Sequence, residues 1–306
     1  MILCVGTTPT VQRTMVFDRV VVDDVNRAVE VHEYASGKGV NVARVLTELG
    51  EAAFAAGFAG GGRGEVLLED LRGAGVPHEF VRVAAQTRLC TTVIDRSAGA
   101  ATELVEESPP ASAGEWQNLI AQIDARITWA RAAVFAGTLA PGAPADFLAR
   151  WVGRCPLLIV DAKGEPLRGA LRAAAGGRLV AKLNRDEFAA TLGEPLTTDE
   201  QLHAALRREA PRNGWLIVTL GKTGAVALVD GRLLRVTPPV VRAVSAVGSG
   251  DSFTAGLVAG YDRGPEHALR LAAACGAANA LTPHSGHLRR ADVERLVAEA
   301  RVEQVG

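Results

Sequence analysis

Val247-Gly248-Ser249-Gly250-Asp251-Ser252-Phe253 leads into an apolar helical run over 250–261. Two glycines around a serine let the backbone turn tightly, so several N–H groups converge on one point at a helix N-terminus. Such a point favours an anion, a phosphate above all. Asp251 falls in the first turn, where a carboxylate has two readings. It can cap the helix, or it can accept a proton from a hydroxyl while the glycine-rich cradle stabilises charge on a group in transfer.

Upstream, short apolar runs alternate with amphipathic helical patterns. Strands are expected at 2–6, 52–57, 132–136, 157–161, 179–183 and 215–220, with helices at 41–49, 116–129 and 202–209. This βαβα order predicts an α/β fold, a mainly parallel sheet covered by helices on both faces. Downstream, 250–261, 266–281 and 291–300 read as consecutive helices. Two stretches break the alternation. Residues 15–34 are valine-rich and alternating, and 90–95 with 102–105 flank a hairpin turn at 96–99. Both predict antiparallel strands outside the main sheet, a small β-lid over its edge; strands at the edge of the main sheet are the alternative.

Ser36-Gly37-Lys38-Gly39-Val40-Asn41 is a second glycine-rich entry to a helix. It presents Lys38 and Asn41 to whatever lies there, or it is an ordinary turn with a solvated lysine. Gly221-Lys222-Thr223 is not a P-loop: Leu216 stands where that motif needs its first glycine, and a strand follows rather than a helix. His284 and His287 have no acidic or thiol neighbours in sequence, which argues against zinc.

The chain has 306 residues, 48% hydrophobic and 22% charged, with a formal net charge of −1. A nucleic-acid or anionic-membrane partner is not expected without a basic field. Cys4, Cys90, Cys155 and Cys275 form no close pair, no apolar run reaches membrane-spanning length, and the first residues read as a strand rather than a leader. A cytoplasmic protein is expected.

Together the motifs resemble the PfkB carbohydrate kinase family of the ribokinase-like fold, over nearly the whole chain. The resemblance implies one three-layer α/β/α domain over 1–306, with lid strands inserted at about 13–35 and 88–107. It implies an ATP-dependent kinase of a sugar or sugar phosphate, in which Asp251 is the base and Gly248, Ser249 and Gly250 form the anion hole. Lys182, Asn184, Thr219, Gly221, Gly224 and Asn279 fall on the nucleotide side, and Asn184 with Glu187 would position Mg²⁺ through water. Gly137-Thr138-Leu139-Ala140-Pro141-Gly142 resembles a further family loop. The family also admits a monovalent cation such as K⁺ and a homodimer through the lid.

Gly37-Lys38-Gly39-Val40-Asn41 and Val25-Asn26-Arg27 resemble the branch with 1-phosphofructokinase and tagatose-6-phosphate kinase. That resemblance sets the acceptor against Gln12, Gly37, Lys38, Asn41 and Arg88, with Lys38 and Arg88 on its phosphate. Gln12 replaces the branch's sugar-binding aspartate, Cys90 replaces an asparagine, and Ala246 replaces a threonine. The phosphoryl-transfer half follows the family pattern and the sugar half departs from it. Two alternatives stand beside this reading: a kinase of an unphosphorylated sugar or nucleoside, and a non-catalytic sensor on the same fold.

Overall fold

Uniformly apolar strands with no alternation are buried on both faces, as strands of a helix-covered parallel sheet must be. In the computed structural model, which describes residues 1–305, β1 (Ile2–Gly6) is such a strand. It is followed by β2 (Thr10–Phe17), β3 (Glu30–Ser36), α1 (Lys38–Glu48), β4 (Ala53–Ala59), α2 (Gly61–Gly73), β5 (His78–Arg82), β6 (Arg88–Asp95) and β7 (Ala100–Val105). Next come α3 (Ala113–Ile127), β8 (Ala132–Ala136), β9 (Leu158–Asp161), α4 (Gly164–Ala173), β10 (Leu179–Asn184), α5 (Arg185–Leu192) and α6 (Asp199–Glu209). The chain continues through β11 (Gly214–Thr219), β12 (Ala225–Val229), β13 (Arg232–Thr237), α7 (Ser249–Gly260), α8 (Pro265–Ala280), α9 (Arg290–Leu296) and β14 (Arg301–Gln304).

The main sheet has ten strands in the order β14-β13-β12-β11-β10-β9-β8-β1-β4-β5. It is parallel from β11 to β5, and β12, β13 and β14 extend it by antiparallel pairing. Side chains alternate between two cores. Ile2 and Cys4 pack with Val42, Leu67, Leu257 and Ala272, on the side of α1, α2, α7 and α8. Leu3 and Val5 pack with Leu119, Leu167, Phe188 and Leu206, on the side of α3, α4, α5 and α6. This is the ribokinase-like three-layer α/β/α sandwich.

The lid is a separate sheet of four strands, β3-β2-β6-β7. Its outer pairs are antiparallel as expected, but β2 and β6 pair in parallel. Both strands leave the same edge of the main sheet, β2 just after β1 and β6 shortly after β5, and so run the same way. The first lid strand starts earlier than the valine pattern suggests, at Thr10, which brings Gln12 into the sheet, and β6 starts at Arg88. The last helix stops at Leu296 rather than continuing to residue 300, and β14 follows it.

Candidate active site

The glycine-rich heptapeptide sits where the sequence puts it, at the start of α7. Gly248 is the N-cap at φ 82°, and a side chain there would strike Gly286, 2.5 Å from the ideal Cβ position. No side chain caps the helix, so Asp251 is not its cap. The carboxylate is instead 7% exposed and accepts a 2.7 Å hydrogen bond from Asn41 Nδ2. Asn41 Oδ1 accepts from Ser36 Oγ at 3.0 Å, and Ser36 Oγ lies 2.9 Å from Ser285 Oγ. A chain of hydrogen bonds thus runs from the last residue of β3 through α1 to Asp251.

Helix α1 reaches this position because two glycines let its first turn sink in. Gly37 has φ 106°, with Pro9 Cα 2.8 Å from its ideal Cβ, and a side chain on Gly39 would lie 2.6 Å from Gly6 N. Lys38, the first residue of α1, then extends over the end of β9. Its ammonium donates to Asp161 Oδ1 at 2.9 Å and lies 3.7 Å from Glu187 Oε1.

Asp161 is the hub of the floor. It is wholly buried, and its Oδ2 accepts from Lys182 Nζ at 2.7 Å and from Thr254 Oγ1 at 3.1 Å. Lys182 also donates to Gly250 O at 3.1 Å, which ties β10 to the first turn of α7. Burial by itself would raise the Asp161 carboxyl, but the Lys182 and Lys38 ammoniums outweigh it and hold the group at about 2. Burial would likewise lower Lys38, and Asp161, Asp251 and Glu187 together drive it above its ordinary value. Asp251 moves the other way: burial raises it, Lys38 offsets part of that, and Asp161 adds to it. A buried carboxylate with a raised pKa beside an uncapped helix start has the character of a general base.

On the opposite side, Asn184 and Glu187 form a capping box for α5. Asn184 Oδ1 accepts from Glu187 N at 2.8 Å, and Glu187 Oε2 accepts from Asn184 N at 3.1 Å. The box leaves Glu187 Oε1 turned toward Lys38. Beside it lies a cleft of about 320 Å³, lined by Asn184, Arg185, Thr219, Gly221 and Arg235 among others. Its turn depends on Gly224, at φ 100°, where a side chain would collide with Val236 O.

A pfkB family carbohydrate kinase model matches residues 1–289. The chain belongs to this family of carbohydrate kinases. It is 30% identical to the tagatose-6-phosphate kinase of Staphylococcus epidermidis, with all of both chains covered. Among solved structures it is similar to phosphofructokinase-2 from Escherichia coli in complex with potassium, at 25% identity and TM-score 0.86 with 98% of each chain covered. Ribokinase from Arabidopsis thaliana complexed with ribose and ATP shares the fold, at 19% identity and TM-score 0.73, with 97% of this chain and 98% of that one covered.

Within this pfkB family kinase, several site residues expected from sequence carry partners that redefine them. Asn279, expected at the nucleotide, is wholly buried. Its Oδ1 accepts from Gly286 N at 2.8 Å and Ser252 Oγ at 3.2 Å, and its Nδ2 donates to Val247 O at 2.8 Å. It braces the start of α7 and has no free amide atom for a ligand. Gln12 is 3% exposed and donates from Nε2 to Thr92 Oγ1 at 2.9 Å; Tyr34 and Cys90 flank it in register. Arg88 donates to Glu106 O and Thr8 O, at 3.1 and 2.9 Å, and its buried Nε has no partner. Lys38 and Arg88, paired in the sequence reading, share no partner. Asp161 was not singled out by sequence; its one signal is an acid that ends an otherwise apolar strand at the carboxyl edge of a parallel sheet, where such folds place ligands.

Proposed function

We propose that this kinase transfers the γ-phosphoryl group of ATP to a hydroxyl of a sugar phosphate, with Asp251 taking the hydroxyl proton. The observation that carries this reading is the buried Asp251 carboxylate, raised in pKa and aimed by Asn41 at the uncapped start of α7. The acceptor oxygen forms a bond to phosphorus as the bond to the ADP oxygen breaks, and the displaced proton moves to Asp251. Backbone amides after Gly248 face the charge that develops on the transferred group. Catalysis then rests on positioning and charge stabilisation.

The acceptor would lie under the lid against Gln12, Gly37 and Asn41, with its own phosphate at Arg88. The donor would lie along Asn184, Thr219, Gly221 and Gly224. Asp161 is occupied by two lysines and a threonine, while Glu187 Oε1 has only the 3.7 Å ion pair with Lys38. That donor set suits an ion held through water and substrate phosphates better than an all-protein cage. Glu187 would hold Mg²⁺ in that way, and the ion supplies charge neutralisation on the phosphates when bound. A homodimer would use the lid, where β7 is exposed along its whole length and Leu104 and Val105 leave apolar surface open. No helix among the described residues is long and apolar enough to cross a membrane.

The test is a coupled ADP-release assay with Mg²⁺, with and without K⁺, across tagatose 6-phosphate, fructose 6-phosphate, fructose 1-phosphate and the free ketoses. Acceptor-dependent ADP release from a sugar phosphate supports the reading. Release only with free sugars or nucleosides moves the substrate class. ATP binding without transfer to any acceptor points to a sensor.

A further inference from the structure

Two ammonium groups converge on the single carboxylate of Asp161, and they differ in exposure. Lys182 is 5% exposed and Lys38 is 35% exposed, while Asp161 is 0% exposed. Lys182 already neutralises Asp161 at 2.7 Å, with Thr254 adding a further donor. The second cation is therefore not needed to keep Asp161 paired, and it is the one nearer the opening. Its surroundings define a narrow place. Asp161 lies beneath it, Glu187 on the donor side is 3.7 Å away, and Asp251 on the acceptor side is near enough to raise its affinity for a proton. The stem of Lys38 rests against Gly137, its Cβ 3.6 Å from where a side chain on that glycine would begin. Arg88, by contrast, is anchored to carbonyls of Thr8 and Glu106, and its Nε is buried without a partner.

We infer that Lys38 is a catalytic residue whose ammonium stabilises the phosphoryl group in transfer, and that it does not hold the acceptor's own phosphate. This rests on the kinase reading given above. On arrival of the donor the flexible side chain needs only to exchange Asp161 for an equatorial oxygen of the transferred group; Lys182 keeps Asp161 paired. Lys38 stays protonated throughout and transfers nothing. The oxygen–phosphorus bonds form and break as described, and the acceptor proton goes to Asp251. A fixed charge that meets the phosphoryl oxygens as negative charge redistributes acts on the transition state more than on bound substrate, and that is what raises turnover.

The two roles leave different kinetic signatures. Lys38→Met, which keeps length and removes charge, is expected to lower kcat by about 10²–10³-fold, the usual loss of one transition-state donor. KM for the sugar phosphate should hold, and an unphosphorylated acceptor should lose kcat by the same factor. Arg88→Ala is the control, with KM for the phosphorylated acceptor raised by about 10–100-fold, the worth of a charge-assisted hydrogen bond. Lys38→Arg should recover part of kcat, and the thermal midpoint should move little because Lys182 remains on Asp161. If turnover of Lys38→Met falls below detection, calorimetric binding of the sugar phosphate separates the readings, with unchanged affinity expected. A rise in KM or Kd confined to phosphorylated acceptors, or an unaltered kcat, would overturn the inference. A parent protein that releases no ADP with any acceptor would instead defeat the kinase reading itself.

Discussion

Gln12→Asp is the change that tests the sugar half of the site most directly. Gln12 is buried in β2 and one of its two amide heads is used by Thr92, so a bound sugar meets one free hydrogen-bonding atom at this position. A carboxylate there is an acceptor only, with two oxygens able to take two hydroxyls. An acceptor matched to two hydroxyls leaves one of them unpaired against Gln12, at about 1–3 kcal/mol, or about 5–150-fold in kcat/KM. Fructose 1-phosphate and fructose 6-phosphate should therefore be poor substrates of the parent. Gln12→Asp, best combined with Cys90→Asn, should raise kcat/KM for one of them within that range. The same change removes the donor to Thr92, which is itself buried, and should reduce stability by about 1–3 kcal/mol. The assay is ADP release against acceptor concentration for the parent, the single variant and the double variant, with thermal melts alongside. Efficient phosphorylation of fructose 1-phosphate by the parent, reduced by Gln12→Asp, would show that the amide is this enzyme's own way of binding the usual acceptor.

Asp251→Asn should keep ATP affinity and lower turnover by about 10²–10⁴-fold, as loss of a general base does. In the parent, kcat/KM should fall with falling pH as Asp251 is protonated, with a midpoint above the ordinary value of an aspartate because burial raises the folded group; Asn at 251 should abolish that limb. Glu187→Gln should raise the Mg²⁺ concentration needed for half-maximal rate more than it raises the sugar KM, and an effect on sugar KM alone would place Glu187 wrongly. Asp161→Ala leaves Lys182 buried without a carboxylate and should cost about 3–5 kcal/mol in denaturant unfolding. The stability that Asp161 contributes is present above the ordinary carboxylate pKa and is lost as pH falls from there toward about 2, a slope the Ala variant should lack.

The fold could be read where burial leaves a local trace. The runs that became β1 and β8 are apolar throughout, and β9 is so up to Asp161, because helices cover both faces; the valine-rich stretch near residue 30 does mark a strand, β3, although Val29 and Val31 are themselves exposed. The start of β2 left no such trace: Thr10-Val11-Gln12 is polar on the side that faces the site. Nor could the parallel pairing of β2 with β6 be read, since register between segments 78 residues apart is set by where the main sheet delivers them. The site divides in the same way. Asp251 and Gly248 are announced by a local turn that only glycine permits. Asp161 has no motif around it, and its meaning lies in Lys38 and Lys182, 123 and 21 residues away in sequence. Asn279 lies on α8, within the helical pattern at 266–281, but its side-chain partners on the α7 entry and at Gly286 make it a brace.

The hydrogen-bond chain from Ser36 through Asn41 to Asp251 bears on what happens before any sugar arrives. Ser36 ends a lid strand, so any motion that lifts β3 carries its hydroxyl away from Asn41. Tyr34, on the same strand, accepts from the backbone N–H of Ser285 at 2.9 Å, and Ser285 Oγ lies 2.9 Å from Ser36 Oγ, so the loop at 285–286 is tied to the same network. With the lid raised, Asn41 is free to turn and Asp251 loses the contact that aims it. Water entering beside a bound nucleotide then meets a base without direction. Closure over an acceptor would restore the alignment and expel that water in one movement, and the same strand that encloses the sugar would then disfavour idle hydrolysis of the donor.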